Sequence, residues 1–295
     1  MTAQNPHRLP RQVLPKHYAI ELEPDLKSGS FTGQVVIDLE VITETDTIVL
    51  NAAELDIEDV QIEQGDSVPT SSIVMDEDLE RAEFAFPIVL QPGPARLSCS
   101  FKGILNDKLR GFYRSTWRDD AGNDHVIATT QFESTNARRA FPCFDEPDLK
   151  ATFGVTLRVL DSLMTVSCGE LVSSTELENG LREDCFADTM IMSTYLVAFI
   201  VGELEATEPI DVDGVPLRIV HVPGKGDLTE FGLLAGEFSL RWLVDYYDIP
   251  YPAGKLDLIA VPDFAFGAME NLGCVTFRET LLLADPERTT QAELT

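Results

Sequence analysis

The chain reads as a mainly β protein in two parts. An antiparallel β-sandwich or saddle-shaped sheet assembly comes first, and a shorter part in which strands alternate with one helix follows. Three observations predict this. Short runs with period-two alternation recur through the first part, separated by turns rich in Gly, Asp, Pro and Ser. Only one strong helical pattern occurs, and it comes late in the chain. The composition changes in kind near Glu203-Leu204-Glu205, which puts a boundary near residue 206 and divides the chain into 1–206 and 207–295.

Taken in order, Met1 to Leu14 is polar and punctuated by proline and reads as a loose arm. Tyr18 to Glu23 alternates, and Gln34 to Val41 places Val35, Ile37, Leu39 and Val41 on one face. Ile48 to Leu50, Leu55 to Ile57 and Val60 to Ile62 continue the pattern. Further strands are expected at Phe84 to Phe86, Leu97 to Phe101, Phe153 to Val159, Met164 to Ser167 and Met190 to Ser193. Tyr195 to Ile200 fits either a buried strand or a short helix. Asp211 to Val215 reads as a hairpin turn. The helix follows, with Asp227 as its N-cap and Glu230 as the reciprocal partner of a capping box. Phe231, Leu234, Phe238 and Trp242 form an apolar stripe expected to face a core, and Asp248-Ile249-Pro250 ends the helix.

The net charge is −28, and the acidic excess is spread over both parts. A basic face for nucleic acid is absent, and an anionic membrane surface is disfavoured for the same reason. The longest apolar run, Tyr195 to Val201, is far too short to span a bilayer, and residues Met1 to Pro15 do not form a signal peptide. Cys99, Cys143, Cys168, Cys185 and Cys274 are widely spaced, odd in number and free of any Cys-x-x-Cys pattern. They read as free, mostly buried thiols, so the expected setting is reducing and cytoplasmic.

The stretch with the most chemistry runs from Pro262 to Gly273. It follows the apolar run Lys255 to Val261 and precedes Cys274 to Arg278, so it joins two strands. Pro262 cannot donate to a ladder and ends the first strand. Gly267 and Gly273 permit positive φ or close backbone approach. Glu270 is the lone acid near the loop's centre. Two readings fit these residues: a glycine-rich hairpin with a solvated Glu, or exposed backbone that pairs with an extended peptide beside an acid that holds its amino end.

Gly267-Ala268-Met269-Glu270-Asn271 matches the exopeptidase motif of the aminopeptidase N family of zinc metallopeptidases. Thr130-Gln131-Phe132-Glu133 and Ala137 to Pro147 resemble that family's second hallmark, and Gly111 to Ser115 and Tyr195 to Phe199 are similar to it as well. The similarity extends from about Leu14 to Leu283. It implies an N-terminal β-domain followed by the first, β-rich lobe of a thermolysin-like catalytic domain. It also implies peptide substrates with a free N-terminus, bound by Gln131, Glu133, Gly267, Ala268, Met269, Glu270 and Asn271. By resemblance, Glu270 and Glu133 meet the substrate amine, Gln131 lines the first specificity pocket with Met269 beside it, and Gly267 and Ala268 pair with the substrate main chain. Leu272 departs from the family, which more often has Trp or Pro there.

The chemistry is consistent with that assignment. A free α-ammonium has a reference pKa near 8. A carboxylate within about 4–6 Å favours its charged form. The bland alternatives are that Glu133 pairs with Arg138 or Arg139 and that Met269 fills the core. Arg138 and Arg139 with Asp145 and Glu146 read as a salt-bridge network bracing two proline turns, and Cys143 as a packed thiol. The family's zinc is held by His-Glu-x-x-His and a later Glu. His7, His17, His125 and His221 do not match that spacing. The expectation is a fragment without catalytic or metal-binding residues of its own, whose Zn2+ site lies beyond residue 295 and whose partner is the rest of its catalytic domain. A non-catalytic scaffold and a leukotriene-hydrolase-like bifunctional enzyme are the alternatives.

Overall fold

The computed structural model describes residues 7–285 and 289–290, and it is mainly β. An eight-stranded sheet runs in the order Leu171–Glu176, Leu181–Phe186, Thr152–Leu160, Val13–Asp25, Ser30–Val41, Gly93–Ile104, Asp56–Gln64 and Asp66–Pro69. A three-stranded sheet is built from Thr45–Asn51, Arg81–Leu90 and Ser72–Asp76. A four-stranded sheet follows the order Met164–Ser167, Phe199–Gly202, Asp124–Gln131, Gly111–Arg118.

The alternating positions behave as their period requires. Tyr18, Ile20 and Leu22 from one strand and Val35, Ile37 and Leu39 from its neighbour are buried together. The inward faces of all three sheets share a core rich in aromatic rings. Phe112 lies at its middle, with ring centroids 5.2 Å from Phe31 and 4.9 Å from Phe199, both edge-on.

Several elements differ from the sequence reading. Residues 1–6 of the expected arm lie outside the described residues, but Leu9 is buried and Val13 already begins a strand. Arg8 and Arg11 pair with Glu146 and fasten this segment. Met190 to Ser193 is not a strand; it makes a single bridge, Ala151 to Met192. The stretch from Tyr195 to Ile200 takes both forms: Thr194–Leu196 is a 3-10 turn and Phe199–Gly202 a strand. Pairing is mostly antiparallel, yet Val13–Asp25 and Thr152–Leu160 run parallel, a direction that alternation does not encode.

The later sheet runs Glu205–Ala206, Val215–His221, Leu256–Val261, Cys274–Arg278, Ala268–Met269, with Ile210–Val212 pairing beside Val215–His221. Asp213 and Gly214 take left-handed backbone at the hairpin turn. Leu256–Val261 and Cys274–Arg278 are parallel neighbours, so the hairpin within the loop is the one between Ala268–Met269 and Cys274–Arg278. Every residue of Leu256–Val261 is buried because both faces are covered. Leu256, Leu258 and Ala260 meet the helix side, while Ile259 and Val261 join the large core.

The helix spans Glu230–Tyr247 and ends at Asp248, which is left-handed. The expected capping box does not form. A 3-10 turn, Gly226–Leu228, takes up Asp227, and the Thr229 hydroxyl donates to the Gly226 carbonyl at 2.7 Å. The expected stripe does not face a core either: Phe231, Leu234, Phe238 and Trp242 are exposed, and the packed side is carried by Gly232, Leu233, Leu240 and Val244. Gly232 sits where an added Cβ would lie 2.8 Å from the Ile219 side chain and from the Leu282 carbonyl, so the close packing uses small residues the apolar pattern does not mark.

Candidate functional site

The Pro262 to Gly273 stretch is held from three sides. The Asp263 N–H donates to Ser115 Oγ at 2.8 Å, and its carbonyl accepts from Tyr113 Oη at 2.9 Å. Its carboxylate accepts from the Thr116 N–H at 2.7 Å and the Thr116 hydroxyl at 3.0 Å. From within its own sheet, the Arg278 side chain donates to the Phe264 and Ala265 carbonyls, and the Arg278 N–H to Gly267 O. At the far end, Gly273 has φ +76°, and a Cβ there would lie 2.3 Å from the Cys168 carbonyl oxygen. The glycine requirement is thus met at Gly273, whereas Gly267 is not left-handed. Buried Lys255 closes this end, donating to Ser167 O, Gly273 O and Asp257 Oδ2, each at 2.8 Å.

Within that frame, Gly267 and Ala268 are exposed, and Ala268–Met269 is the edge strand of its sheet. An edge strand presents unpaired backbone groups that an extended segment can join. Met269 points the other way and is 1% exposed. Asn271 is equally buried: its amide donates to Leu196 O at 3.2 Å and Val197 O at 3.3 Å, and Thr276 Oγ1 bonds its carbonyl oxygen at 3.2 Å. Its side chain therefore holds two chain segments together.

Gln131 ends the Asp124–Gln131 strand and is 1% exposed. Its Nε2 lies 3.6 Å from Met269 Sδ, and its buried Oε1 has no hydrogen-bond partner among the described residues. Glu133 and Glu270 are exposed, and among the described residues neither carboxylate has a hydrogen-bond or ion-pair partner. The charges of both act on the half-buried Tyr195. Burial pushes the Tyr195 phenol above its ordinary range, and the Glu270 and then the Glu133 charge push it further. The charges of both acids of the sequence reading therefore act on one ring, and Gln131 separately meets Met269.

The alternative partners of Glu133 are engaged elsewhere. Arg138 binds Asp145 at 2.9 Å and Glu80 at 3.2 Å, and Arg139 binds Glu54 and Glu80. The arginine network is real but differs from expectation: Glu146 belongs to Arg8 and Arg11. Cys143 is fully buried, and burial pushes its thiol well up, as for a packed side chain. All five cysteines are free. Sequence reasoning gave no role to Tyr195, Asp263, Tyr113, Ser115 or Thr116. The Asp263 bonds bridge about a hundred and fifty residues, and no local pattern signals them.

No three His, Cys, Asp or Glu side chains gather as metal ligands among the described residues. No helix among them is long and apolar enough to cross a membrane.

Two family descriptions match the chain: the Peptidase M1 N-terminal domain over residues 14–196 and the Peptidase family M1 domain over residues 233–295. The chain is 43% identical over 282 residues to puromycin-sensitive aminopeptidase of Caenorhabditis elegans, covering 95% of this chain and 30% of that protein. It is 41% identical over 285 residues to aminopeptidase M1 of Arabidopsis thaliana, covering 95% and 32%. It is 40% identical over 284 residues to alanine/arginine aminopeptidase of Saccharomyces cerevisiae, covering 95% and 33%. The chain spans about a third of the length of the curated relatives it matches.

Proposed function

The chain belongs to the M1 peptidase family, the aminopeptidase N group, and from that membership we propose that it is the amine-binding part of an aminopeptidase that removes N-terminal residues from peptides. The observation that carries this reading is the pair Glu133 and Glu270: unpaired, contributed by different parts of the chain, and acting by charge on one phenol, with Glu270 directly following an open strand edge. Two like charges near a half-buried ring repel, and a cation between them relieves the repulsion. A substrate α-ammonium carries one positive charge and three N–H donors. Glu133 and Glu270 accept two of them. The substrate backbone then joins the edge at Ala268, so that the amine is fixed and the first peptide bond follows at a set distance.

The family implies a zinc ion as the hydrolytic metal. The described residues hold no cluster of three His, Cys, Asp or Glu that could serve as its ligands, and no hydrolytic step is assigned to residues 1–295. The free, mostly buried thiols favour a reducing, cytoplasmic setting.

The test is binding by the chain itself. At pH 6.5, L-leucinamide should shift the backbone resonances of Glu133, Ala268 and Glu270, and N-acetyl-L-leucinamide should not. Glu270→Gln should weaken leucinamide by about tenfold or more, as loss of a charge-assisted bond requires. Affinity should fall above pH of about 8, where the amine loses its proton. Equal binding of both ligands would remove the amine reading.

A further inference from the structure

The geometry points to Asp263 as a positioning residue, and to the Gly111-to-Gln131 hairpin as the frame that fixes Glu270 relative to Glu133. The inference rests on the amine-binding reading and adds to it the device that assembles the two carboxylates.

Asp263 commits its N–H, its C=O and its carboxylate to one strand, through Tyr113, Ser115 and Thr116. Tyr113 and Ser115 are fully buried, so two of the three gripping residues cannot swing. The gripping strand is paired along its length with the one that leads to Glu133, in the register Gly111 to Gln131, Tyr113 to Thr129 and Ser115 to Ile127. The far end of the loop is tied to the same sheet. Asn271 bonds the Leu196 and Val197 carbonyls, and that segment enters Phe199–Gly202, which pairs with Asp124–Gln131 at Ala128 and Val201. Both ends of the stretch from Asp263 to Asn271 are therefore fastened to the sheet that carries Glu133, and Glu270 lies inside that stretch.

Loop backbone must find partners somewhere, and satisfying it is the simpler role for these bonds. The two roles separate by what moves. If the bonds only satisfy the backbone, their loss costs stability and leaves the acids in place. If they position, their loss moves Glu270 away from Glu133 while the rest of the sheet stays folded. Charge-assisted bonds to a carboxylate are strong and directional, which suits the second role.

The experiment uses chain 1–295 with Asp263→Ala, Thr116→Val and Thr116→Ser. The first readout is the affinity ratio of L-leucinamide to N-acetyl-L-leucinamide. It should fall by about tenfold in Asp263→Ala and by about threefold in Thr116→Val, and hold in Thr116→Ser, which keeps the hydroxyl. The second readout needs no ligand. The ring carbon bearing the Tyr195 hydroxyl, followed by NMR against pH, reports both carboxylates. Its midpoint should drop toward the ordinary tyrosine value in Asp263→Ala as Glu270 withdraws. A folded Asp263→Ala chain with an unchanged ratio and an unchanged midpoint overturns the inference. If the wild-type chain does not discriminate the two ligands, the amine reading fails, and the midpoint alone decides positioning: a drop sustains it and no change overturns it. If Asp263→Ala does not fold, Thr116→Val decides on the same two readouts.

Discussion

The two regions of this molecule bury their apolar residues to different degrees. In the first, the large aromatic side chains Tyr18, Phe31, Phe84, Phe101, Phe112, Phe153 and Phe199 are all fully enclosed by sheets packed on sheets. In the second, one face of the Leu256–Val261 sheet lies on the first region, and the other is covered by a helix whose outer side is open. Phe238 is 69% exposed there, and Trp242 and Tyr246 stack on each other at 4.8 Å in solvent. An apolar groove of about 520 Å³ between helix and sheet, lined by Phe231, Leu243, Tyr247 and Phe277 among others, continues this surface. The difference teaches that an apolar face predicted from periodicity is a demand for cover, and that the demand need not be met within the same stretch of chain.

The sharpest way to break this comparison is Phe112→Ala. Enclosed between Phe31 and Phe199, its ring leaves a cavity when removed, and denaturant unfolding should show a loss of about 3–5 kcal/mol. A loss below about 1 kcal/mol would mean that the first core is not closed.

A second comparison concerns buried charge. Asp184 is 1% exposed and accepts hydrogen bonds from Thr165 at 2.6 Å, Ser174 at 2.5 Å and Arg182 at 3.0 Å. Burial pushes its carboxyl up, but the bonds from Ser174, Thr165 and Arg182 outweigh burial and hold it below the usual range. A carboxylate with a lowered folded pKa contributes stability above its unfolded value, near pH 4, and loses it as pH falls through the folded value. Asp184→Asn should therefore cost about 2 kcal/mol at neutral pH and flatten the acid side of the stability profile. An unchanged acid slope would show that this carboxylate is not part of the satisfied interior.

The smallest effect belongs to the open face. Phe238→Ser should leave the unfolding midpoint within about 0.5 kcal/mol of the parent, while reducing binding of an apolar dye. A large loss of stability would mean that the outer helix face is covered within this chain.

Much of the fold was legible because strand alternation is a local property. Val35, Ile37, Leu39 and Val41 declare their face whatever they pack against, and Asp213-Gly214 declares its turn through the left-handed backbone it needs. The motif from Gly267 to Asn271 and the acid at Glu133 were legible as residue patterns of a family. Less legible were Gly111–Arg118 and Asp124–Gln131, whose buried positions include Tyr113, Ser115, Thr129 and Gln131. A buried polar side chain breaks the apolar alternation that marks a strand. Helix capping failed for a related reason: Asp227 suited a cap locally, but the chain entered the helix through a 3-10 turn.

The sequence alone determined the mainly β class, the position of the helix, the family, and which acids were worth following. Each of these depends on side chains a few residues apart, or on a motif read as a string. Only the tertiary structure decided that strands within the sheets run parallel as well as antiparallel and that the helix stripe points outward. It alone showed that Asn271 is a tie between segments, and that the charges of Glu133 and Glu270 act on one phenol while Asp263 is held by Tyr113, Ser115 and Thr116. These features join residues far apart in the chain, and their geometry exists only once the two regions pack together.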